Sequence, residues 1–272
     1  MNFAVVTTFD TQKHPYGINF ISSFLEYWPA EAKLFALLEN HQLVQVDNPE
    51  LVSRLEILSF EEECPDYKKF KELFGPFNRT DTYRLDAIRF AHKIYTLFYA
   101  FENLTSFDRV IWCDADIITL KDLPIELLKQ ISPEESHWSY LGRDFLSNPN
   151  LNYPECGLMV FNPHHKNFDH TLNAMRMLYD QGKVINLREW HDSFAFYVID
   201  QFISNFAGKT SFDITNLGMV PLDKPQHVFI ASVLGEFMDH FKGNRKKEQR
   251  SPEMLDRIKK VQQSKNTPAG LA

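Results

Sequence analysis

The stretch RVIWCDADIITLKDL, residues 109–123, carries the strongest structural signal in this 272-residue chain. A short apolar run, 109–113, ends in two aspartates, Asp114 and Asp116, and a second apolar run follows from Ile117. An apolar, β-branched run of this length is typical of a buried strand. In an α/β sheet, the carboxyl ends of the strands are where ligands bind. The stretch therefore predicts an α/β protein with a binding site at the end of this strand.

The spacing of the two aspartates indicates a metal site. Two neighbouring carboxylates repel each other, so burying both favours a cation between them. Oxygen ligands of this kind suit Mg²⁺ or Mn²⁺, and both cations also bridge phosphate oxygens. Asp114 and Asp116 are therefore candidate metal ligands. The alternative is an ordinary loop with two solvated aspartates.

Strands and helices alternate on both sides of this stretch. Short apolar runs predict strands over 3–8, 33–39, 55–60, 109–114, 117–120, 137–141 and 157–161. Helical spacing of apolar residues predicts helices over 18–28, 80–101, 166–181, 192–205, 229–237 and 252–263. Such β-α-β alternation predicts a mostly parallel central sheet flanked by helices.

Composition excludes several classes of protein. With 44% hydrophobic and 24% charged residues, the chain is neither disordered nor fibrous. A net charge of −7 argues against a nucleic-acid-binding role. We expect a cytoplasmic protein: there is no apolar run long enough to span a membrane and no signal-type N-terminus. Three scattered cysteines also fit a reducing compartment, namely Cys64, Cys113 and Cys156.

Residues 109–123 resemble the DxD segment of GT-A glycosyltransferases, above all family 8, the group of glycogenin and bacterial galactosyltransferases. Three further segments follow in that family's order. ECGLMVFN, 155–162, resembles the strand on the donor-sugar side, and WHDS, 190–193, resembles the acidic segment facing donor and acceptor. HFKG, 240–243, with Lys246, resembles the element that completes the metal and diphosphate site. The resemblance implies a Rossmann-like GT-A domain over residues 1–246 and a basic C-terminal helix or tail over 247–272.

The same resemblance implies an activity. It is a metal-dependent transfer of a hexose from a nucleoside-diphosphate sugar, a UDP-sugar first of all, to a saccharide, glycolipid or protein, as in polysaccharide biosynthesis. The resemblance of HFKG, 240–243, to the family 8 element favours retention of the anomeric configuration. By resemblance, Asp116 ligates Mn²⁺ or Mg²⁺ most directly, Asp114 contacts the ribose, the metal or both, and His240 is the third protein ligand. Such a reaction needs its diphosphate leaving group to be stabilised, and a bound cation provides this stabilisation as a Lewis acid.

The resemblance also supplies candidates for binding the nucleotide sugar. They are Thr7, Thr8, Tyr16 and Glu39 at the uridine end, Asp144 toward the sugar hydroxyls, and Lys242, Gly243 and Lys246 at the diphosphate. Arg84 and Lys93 stand in the helix before the DxD strand, where family members place basic residues that touch the nucleotide sugar. Arg89 competes for the same role, so the choice among the three stays open.

Asp192 is the candidate catalytic residue, since it lies in the acidic WHDS segment. Family 8 has an Asp-Gln pair in this segment, whereas Ser193 follows Asp192 here. The possible roles are to orient the acceptor, to stabilise an oxocarbenium-like state or to act as the base of an inverting enzyme. The alternative is that Asp192 only caps the helix that starts there.

Other functions use similar motifs. A DxD phosphohydrolase usually has Thr or Val two residues after its second aspartate, where this chain has Ile118. A sugar nucleotidyltransferase usually opens with a glycine-rich loop, whereas residues 7–17 contain one glycine. A non-catalytic nucleotide-sugar-binding protein of the same fold is the remaining alternative, and the acids and the histidine of the candidate metal site argue against it.

Charge is unevenly distributed along the chain. Residues 242–272 contain nine Lys or Arg and three Asp or Glu, a formal charge of +6, so the other 241 residues carry −13. The first part of this basic segment is where the resemblance places the diphosphate. Its later part suits either peripheral contact with an anionic membrane or a solvated helix, and the sequence favours the solvated helix.

Overall fold

The structure is a computed structural model that describes residues 1–14, 16–40, 53–143, 153–222, 227–241 and 251–266. Its strands are β1 Phe3–Phe9, β2 Ala32–Leu38, β3 Leu55–Ser59, β4 Arg109–Cys113, β5 Ile117–Thr119, β6 Trp138–Leu141, β7 Glu155–Phe161, β8 Ser211–Asp213 and β9 Met238–His240. Its helices are α1 Tyr16–Tyr27, α2 Phe60–Glu63, α3 Pro65–Phe74, α4 Ala87–Asn103, α5 Ile125–Gln130, α6 Phe168–Tyr179, α7 Asp192–Ala207, α8 Val228–Ala231 and α9 Pro252–Asn266.

Seven of these strands form one sheet in the order β3-β2-β1-β4-β7-β6-β8. The first four of these strands run parallel, and β8 is parallel to β6, whereas β7 is antiparallel to both of its neighbours. The short strands β5 and β9 form a separate antiparallel pair. The predicted mostly parallel central sheet is therefore confirmed.

The sheet has a hydrophobic core on each face. In β4, Val110 and Trp112 pack into the core under α4, α6 and α7, whereas Ile111 and Cys113 pack into the core on the side of α1, α5 and α8. Strands buried on both faces read as continuous apolar runs, which is why β1, β2 and β4 stand out in the sequence. With both faces covered, the strand ends are left to carry polar residues.

The helix predicted over 80–101 is wrong at its start. Residues Tyr83–Leu85 form a 3₁₀ turn, and α4 begins only at Ala87. The Asp86 side chain accepts a hydrogen bond from the Arg89 amide and so caps the helix at that point. The helix predicted over 229–237 is likewise two pieces, α8 and a 3₁₀ turn over Val233–Glu236. The sequence patterns also missed α2, α3, α5, β8 and β9.

The C-terminal helix α9 is docked on the domain rather than solvated all round. Met254 and Arg257 are buried. Nη1 of Arg257 donates to three carbonyl oxygens at the end of α8, those of Ile230, Ala231 and Ser232, at 2.8–3.2 Å. The expectation of a solvated helix is therefore wrong for the face of α9 that carries Met254 and Arg257. The three carbonyl oxygens supply the hydrogen-bond acceptors that a buried guanidinium needs. The boundary at residue 246 lies outside the described residues and stays a prediction. No helix in the described ranges combines the length and apolarity needed to cross a bilayer.

Candidate active site

Asp114, Asp116 and His240 come together at the carboxyl end of β4. Pairing of β5 with β9 places Ile117 opposite His240, and the Phe241 amide donates to the Asp116 carbonyl at 2.9 Å. Nε2 of His240 consequently lies 3.1 Å from Oδ1 of Asp116 and 3.8 Å from Oδ2 of Asp114. One ligand atom from each residue lies within 4.8 Å of the others. Two carboxylates and an imidazole at this spacing can hold a divalent cation.

The orientation of His240 is set by its surroundings. The ring is buried and contacts Phe229, with 5.2 Å between ring centroids. Nε2 of His227 donates to the His240 carbonyl at 3.1 Å. Nδ1 of His240 lies 3.7 Å from Oε1 of Glu155, which is an electrostatic contact beyond hydrogen-bond distance. These contacts point Nε2 at the two aspartates.

Gly157 makes room for this histidine. A Cβ atom at Gly157 would lie 2.4 Å from Cε1 of His240, a distance that no side chain tolerates. The supporting roles of Gly157 and Glu155 escaped the sequence analysis, although both lie in the quoted 155–162 segment. The available signal was a glycine inside a strand of otherwise bulky residues, which marks a close approach.

Lys93 links the metal-site acids to Asp192. Its Nζ lies 3.0 Å from Oδ1 of Asp114, donates to Oδ2 of Asp192 at 2.5 Å and donates to the Cys156 carbonyl at 2.7 Å. The ammonium also lies 5.0 Å from the centre of the Trp112 ring. Burial lowers the pKa of Lys93, but the two carboxylates outweigh burial and raise the pKa well above its usual range. The lysine therefore stays charged.

Asp192 does not cap α7. The N-cap is His191, whose Nδ1 accepts from the Phe194 amide at 3.3 Å. Asp192 is already the first helical residue, so its buried side chain can turn inward to Lys93 while Oδ1 accepts from the Ser193 amide at 2.8 Å. The helix-cap alternative is wrong for this reason. Burial raises the pKa of Asp192, but Lys93 outweighs burial and the pKa falls below its ordinary value.

Asp114 is in the opposite electrostatic situation. Burial raises its pKa, Lys93 works against burial, and the neighbouring Asp116 raises the pKa further. Nε1 of Trp112 donates to Oδ1 of Asp114 at 2.7 Å and so fixes the carboxylate. The crowding of two carboxylates leaves negative charge that a bound cation would compensate.

The other predicted binding residues are spread around this centre. Thr7 is fully buried in the sheet, and the Thr8 hydroxyl donates to the Leu37 carbonyl at 2.7 Å. Tyr16 and Glu39 are half-buried beyond the ends of β1 and β2, and Oε2 of Glu39 lies 3.5 Å from Nε2 of His92.

Among the three basic candidates, Lys93 is the one that contacts Asp114 and Asp192. Arg84 is exposed, and its guanidinium lies beside Glu189 at 3.6 Å. Arg89 is exposed one turn before Lys93 on the same helix. Four predicted binding residues lie outside the described residues, namely Asp144, Lys242, Gly243 and Lys246.

Comparison with solved structures identifies the fold. No protein-family model and no curated protein matches the sequence. The chain nevertheless has the GT-A glycosyltransferase fold. It is similar to an active-site mutant of the galactosyltransferase LgtC, with 13% identity, coverage of 98% of both chains and a TM-score of 0.54. It is also similar to the bifunctional glycosyltransferase WbbM, with 16% identity, a TM-score of 0.53 and coverage of 98% of this chain. The chain spans half the length of WbbM.

Proposed function

We propose that this chain is a metal-dependent glycosyltransferase that transfers a hexose from a nucleoside-diphosphate sugar, a UDP-sugar first of all, to a hydroxyl group of a saccharide, glycolipid or protein, with retention of configuration. One observation carries the proposal: Asp114, Asp116 and His240 present ligand atoms within 4.8 Å of one another at the carboxyl end of β4. This is the sheet edge at which α/β folds bind their ligands. The GT-A fold supports the same reading.

The chemistry of the ligand set fits a divalent cation. Two carboxylates supply the hard oxygen ligands that Mg²⁺ and Mn²⁺ prefer, and the imidazole of His240 suits Mg²⁺ less well, so Mn²⁺ is the first choice. Asp114, Asp116 and His240 would hold it. When bound, such a cation acts as a Lewis acid on the diphosphate leaving group.

The protein's own groups have distinct roles in this proposal. Lys93 compensates the buried charges of Asp114 and Asp192 and keeps Asp192 ionised. An ionised Asp192 can stabilise positive charge that develops at the anomeric carbon, as well as orient the acceptor. The acceptor oxygen bonds to the anomeric carbon as the bond to the diphosphate breaks. The hydroxyl proton passes to the diphosphate or to solvent.

Location is part of the proposal. The three cysteines, Cys64, Cys113 and Cys156, are buried free thiols, which supports a cytoplasmic site of action. A peripheral membrane contact of the basic C-terminal segment would use the exposed Leu255 and Ile258 on the outer face of α9.

The test is nucleotide release from a panel of UDP- and GDP-sugars, with and without Mn²⁺. We expect one donor to be turned over only with the metal, and the anomeric configuration of the product, read by NMR, to match that of the donor. Asp116→Asn should lower turnover by about 100-fold or more, the usual cost of removing one electrostatic stabiliser. Asp122→Asn changes an exposed aspartate six residues further on and should leave turnover unchanged.

Two outcomes would sink the proposal. One is that none of the sugar nucleotides binds or is turned over. The other is that Asp116→Asn behaves like Asp122→Asn. For Asp192, replacement by Asn should abolish turnover while donor binding remains, and unchanged turnover would remove Asp192 from the mechanism.

A further inference from the structure

Arg84 and Arg188 converge on one buried carboxylate next to the candidate site. Nη1 of Arg84 and Nη2 of Arg188 each lie 3.6 Å from Oε1 of Glu189. Glu189 precedes Asp192 by three residues, so their Cα atoms are within about 11 Å. The Trp190 amide donates to the Arg84 carbonyl at 2.6 Å, which ties the turn that carries Arg84 to the segment that carries Asp192. The two arginines therefore have fixed backbone positions at the rim of the site.

Glu189 does not use up the arginine donors. Its carboxylate accepts from Nε2 of His191 at 2.9 Å and from the Tyr153 hydroxyl at 3.1 Å. The arginine nitrogens at 3.6 Å are beyond hydrogen-bond distance from it. Arg188 also donates to the Tyr153 hydroxyl. With side chains 48% and 62% exposed, Arg84 and Arg188 still present N–H groups to solvent.

The local charge differs in sign from that of the domain. Burial raises the pKa of Glu189, but its hydrogen bonds and the neighbouring Arg84 outweigh burial and lower the pKa, so the carboxylate is ionised. Two arginines and one ionised glutamate give this rim a formal charge of +1. The chain outside residues 242–272 carries −13. An anionic molecule is therefore repelled by the domain as a whole and attracted at this rim.

An exposed aromatic ring, that of Tyr83, lies beside Arg84, whose guanidinium carbon is 6.0 Å from the ring centroid. Tyr83 is 53% exposed, and its ring centroid is 5.6 Å from that of His191. An exposed ring offers an apolar face to a sugar ring, and guanidinium groups bind carboxylate or phosphate with paired, charge-assisted hydrogen bonds. A neutral saccharide offers the arginines only uncharged hydroxyl oxygens, whose hydrogen bonds are weaker than those of a carboxylate or phosphate.

We infer that the acceptor is a saccharide bearing an anionic group, a carboxylate or a phosphate, and that Arg84 and Arg188 bind this group beside Asp192. The inference rests on the proposed transferase function. It assigns to Arg84 a role at the acceptor, whereas the family resemblance places it at the nucleotide sugar.

The experiment measures saccharide binding to the protein with UDP and Mn²⁺ present, by calorimetry or NMR. Three matched probes differ at one carbon: p-nitrophenyl β-glucoside, its 6-phosphate and p-nitrophenyl β-glucuronide. We expect an anionic probe to bind at least about tenfold more tightly than the glucoside, the size of one charge-assisted hydrogen bond at a partly exposed site. The phosphate and carboxylate arms tell which group is preferred.

Variants then locate the binding site. Arg188→Gln and Arg84→Gln should each lower the binding affinity for the anionic probe by about tenfold. The affinities for the glucoside and for UDP should stay unchanged. Arg79→Gln is the matched control, because Arg79 is an exposed arginine paired with Asp81 at 2.8 Å, five residues before Arg84. It should change nothing.

The inference is overturned if the wild-type protein binds the glucoside as well as both anionic probes. It is equally overturned if the two arginine variants match Arg79→Gln. Absence of binding by every sugar nucleotide of the donor panel is a separate result, since it contradicts the proposed function and is measured before any saccharide is added.

Discussion

Replacing Lys93 by methionine tests the electrostatic organisation of the site. Methionine keeps much of the length of the side chain and removes its charge. In the folded protein this charge lies within 3.0 Å of oxygens on Asp114 and Asp192, and all three side chains are largely withdrawn from solvent. The substitution leaves two carboxylates facing each other across a buried space, with no ammonium between them.

The expected cost follows from that burial. Breaking a buried ion pair by removing one partner destabilises a protein by about 3–5 kcal/mol, because the remaining charge is uncompensated. Urea unfolding at pH 7 in the presence of a chelator measures this loss. Lys33→Met is the matched control: Lys33 lies 2.7 Å from Glu56, but these side chains are 35% and 42% exposed. An exposed pair of this kind is worth less than about 1 kcal/mol.

The pH dependence gives a second readout with a defined sign. In the wild-type protein, Lys93 holds the pKa of Asp192 below the unfolded value of 3.8, so this carboxylate stabilises the fold above pH 3.8, and the contribution is lost as pH falls through the lower folded value. Without Lys93, burial dominates and raises the pKa of Asp192 above 3.8. Protonation of Asp192 then removes the uncompensated buried charge of the variant. The difference in unfolding free energy between wild type and Lys93→Met should therefore shrink as the pH falls from 7 to 4.

Two results would refute this reasoning. The first is a loss at pH 7 no larger than that of Lys33→Met. The second is a deficit that stays constant as the pH is lowered, which would mean that packing rather than charge accounts for it.

Two further predictions address the metal ligand and a half-buried histidine, His92. Gly157→Ala puts a Cβ atom 2.4 Å from Cε1 of His240, so Mn²⁺ affinity, measured calorimetrically with UDP present, should fall by about tenfold or more. Gly75→Ala is the control, because the added atom has open space around it and should leave the affinity unchanged. Equal Mn²⁺ affinities of the two variants would contradict the ligand role of His240. Burial lowers the pKa of His92 from 6.5 to about 4. The unfolded chain therefore binds more protons between these values, and the unfolding free energy should fall by up to about 3 kcal/mol as pH drops from 6.5 to 4. His92→Leu should flatten that slope, and a slope as steep as in the wild type would assign it to other groups.

Much of the fold was readable from local sequence. The strands β1, β2 and β4 are buried on both faces, and such strands appear as unbroken apolar runs. Helix starts were harder to predict. The periodicity over 80–101 is helical throughout, yet α4 begins at Ala87 because one side-chain hydrogen bond from Asp86 caps it there. Periodicity reports which side of a helix is apolar, and it does not register a single capping contact.

The choice among Arg84, Arg89 and Lys93 needed the tertiary structure. All three precede the DxD strand at similar spacing, so the sequence leaves them equivalent. Packing of α4 beneath β4 buries Lys93 and leaves Arg89 exposed, whereas Arg84 lies exposed in the 3₁₀ turn that precedes α4. The roles of Glu155 and Gly157 were hidden for a similar reason, since each acts on a histidine more than 80 residues further along the chain.

The sequence by itself determined most strands of the sheet, the acids at its edge and their resemblance to a DxD element. Those features depend on neighbouring residues, whose hydrophobicity and charge act over a few positions. Only the tertiary structure decided that the basic side chain between Asp114 and Asp192 is Lys93. It also decided how β5 and β9 bring His240 to Asp116, and that His191 rather than Asp192 caps α7. These contacts join residues far apart in the chain or depend on the direction of one side chain, and such geometry arises only when the elements pack against one another.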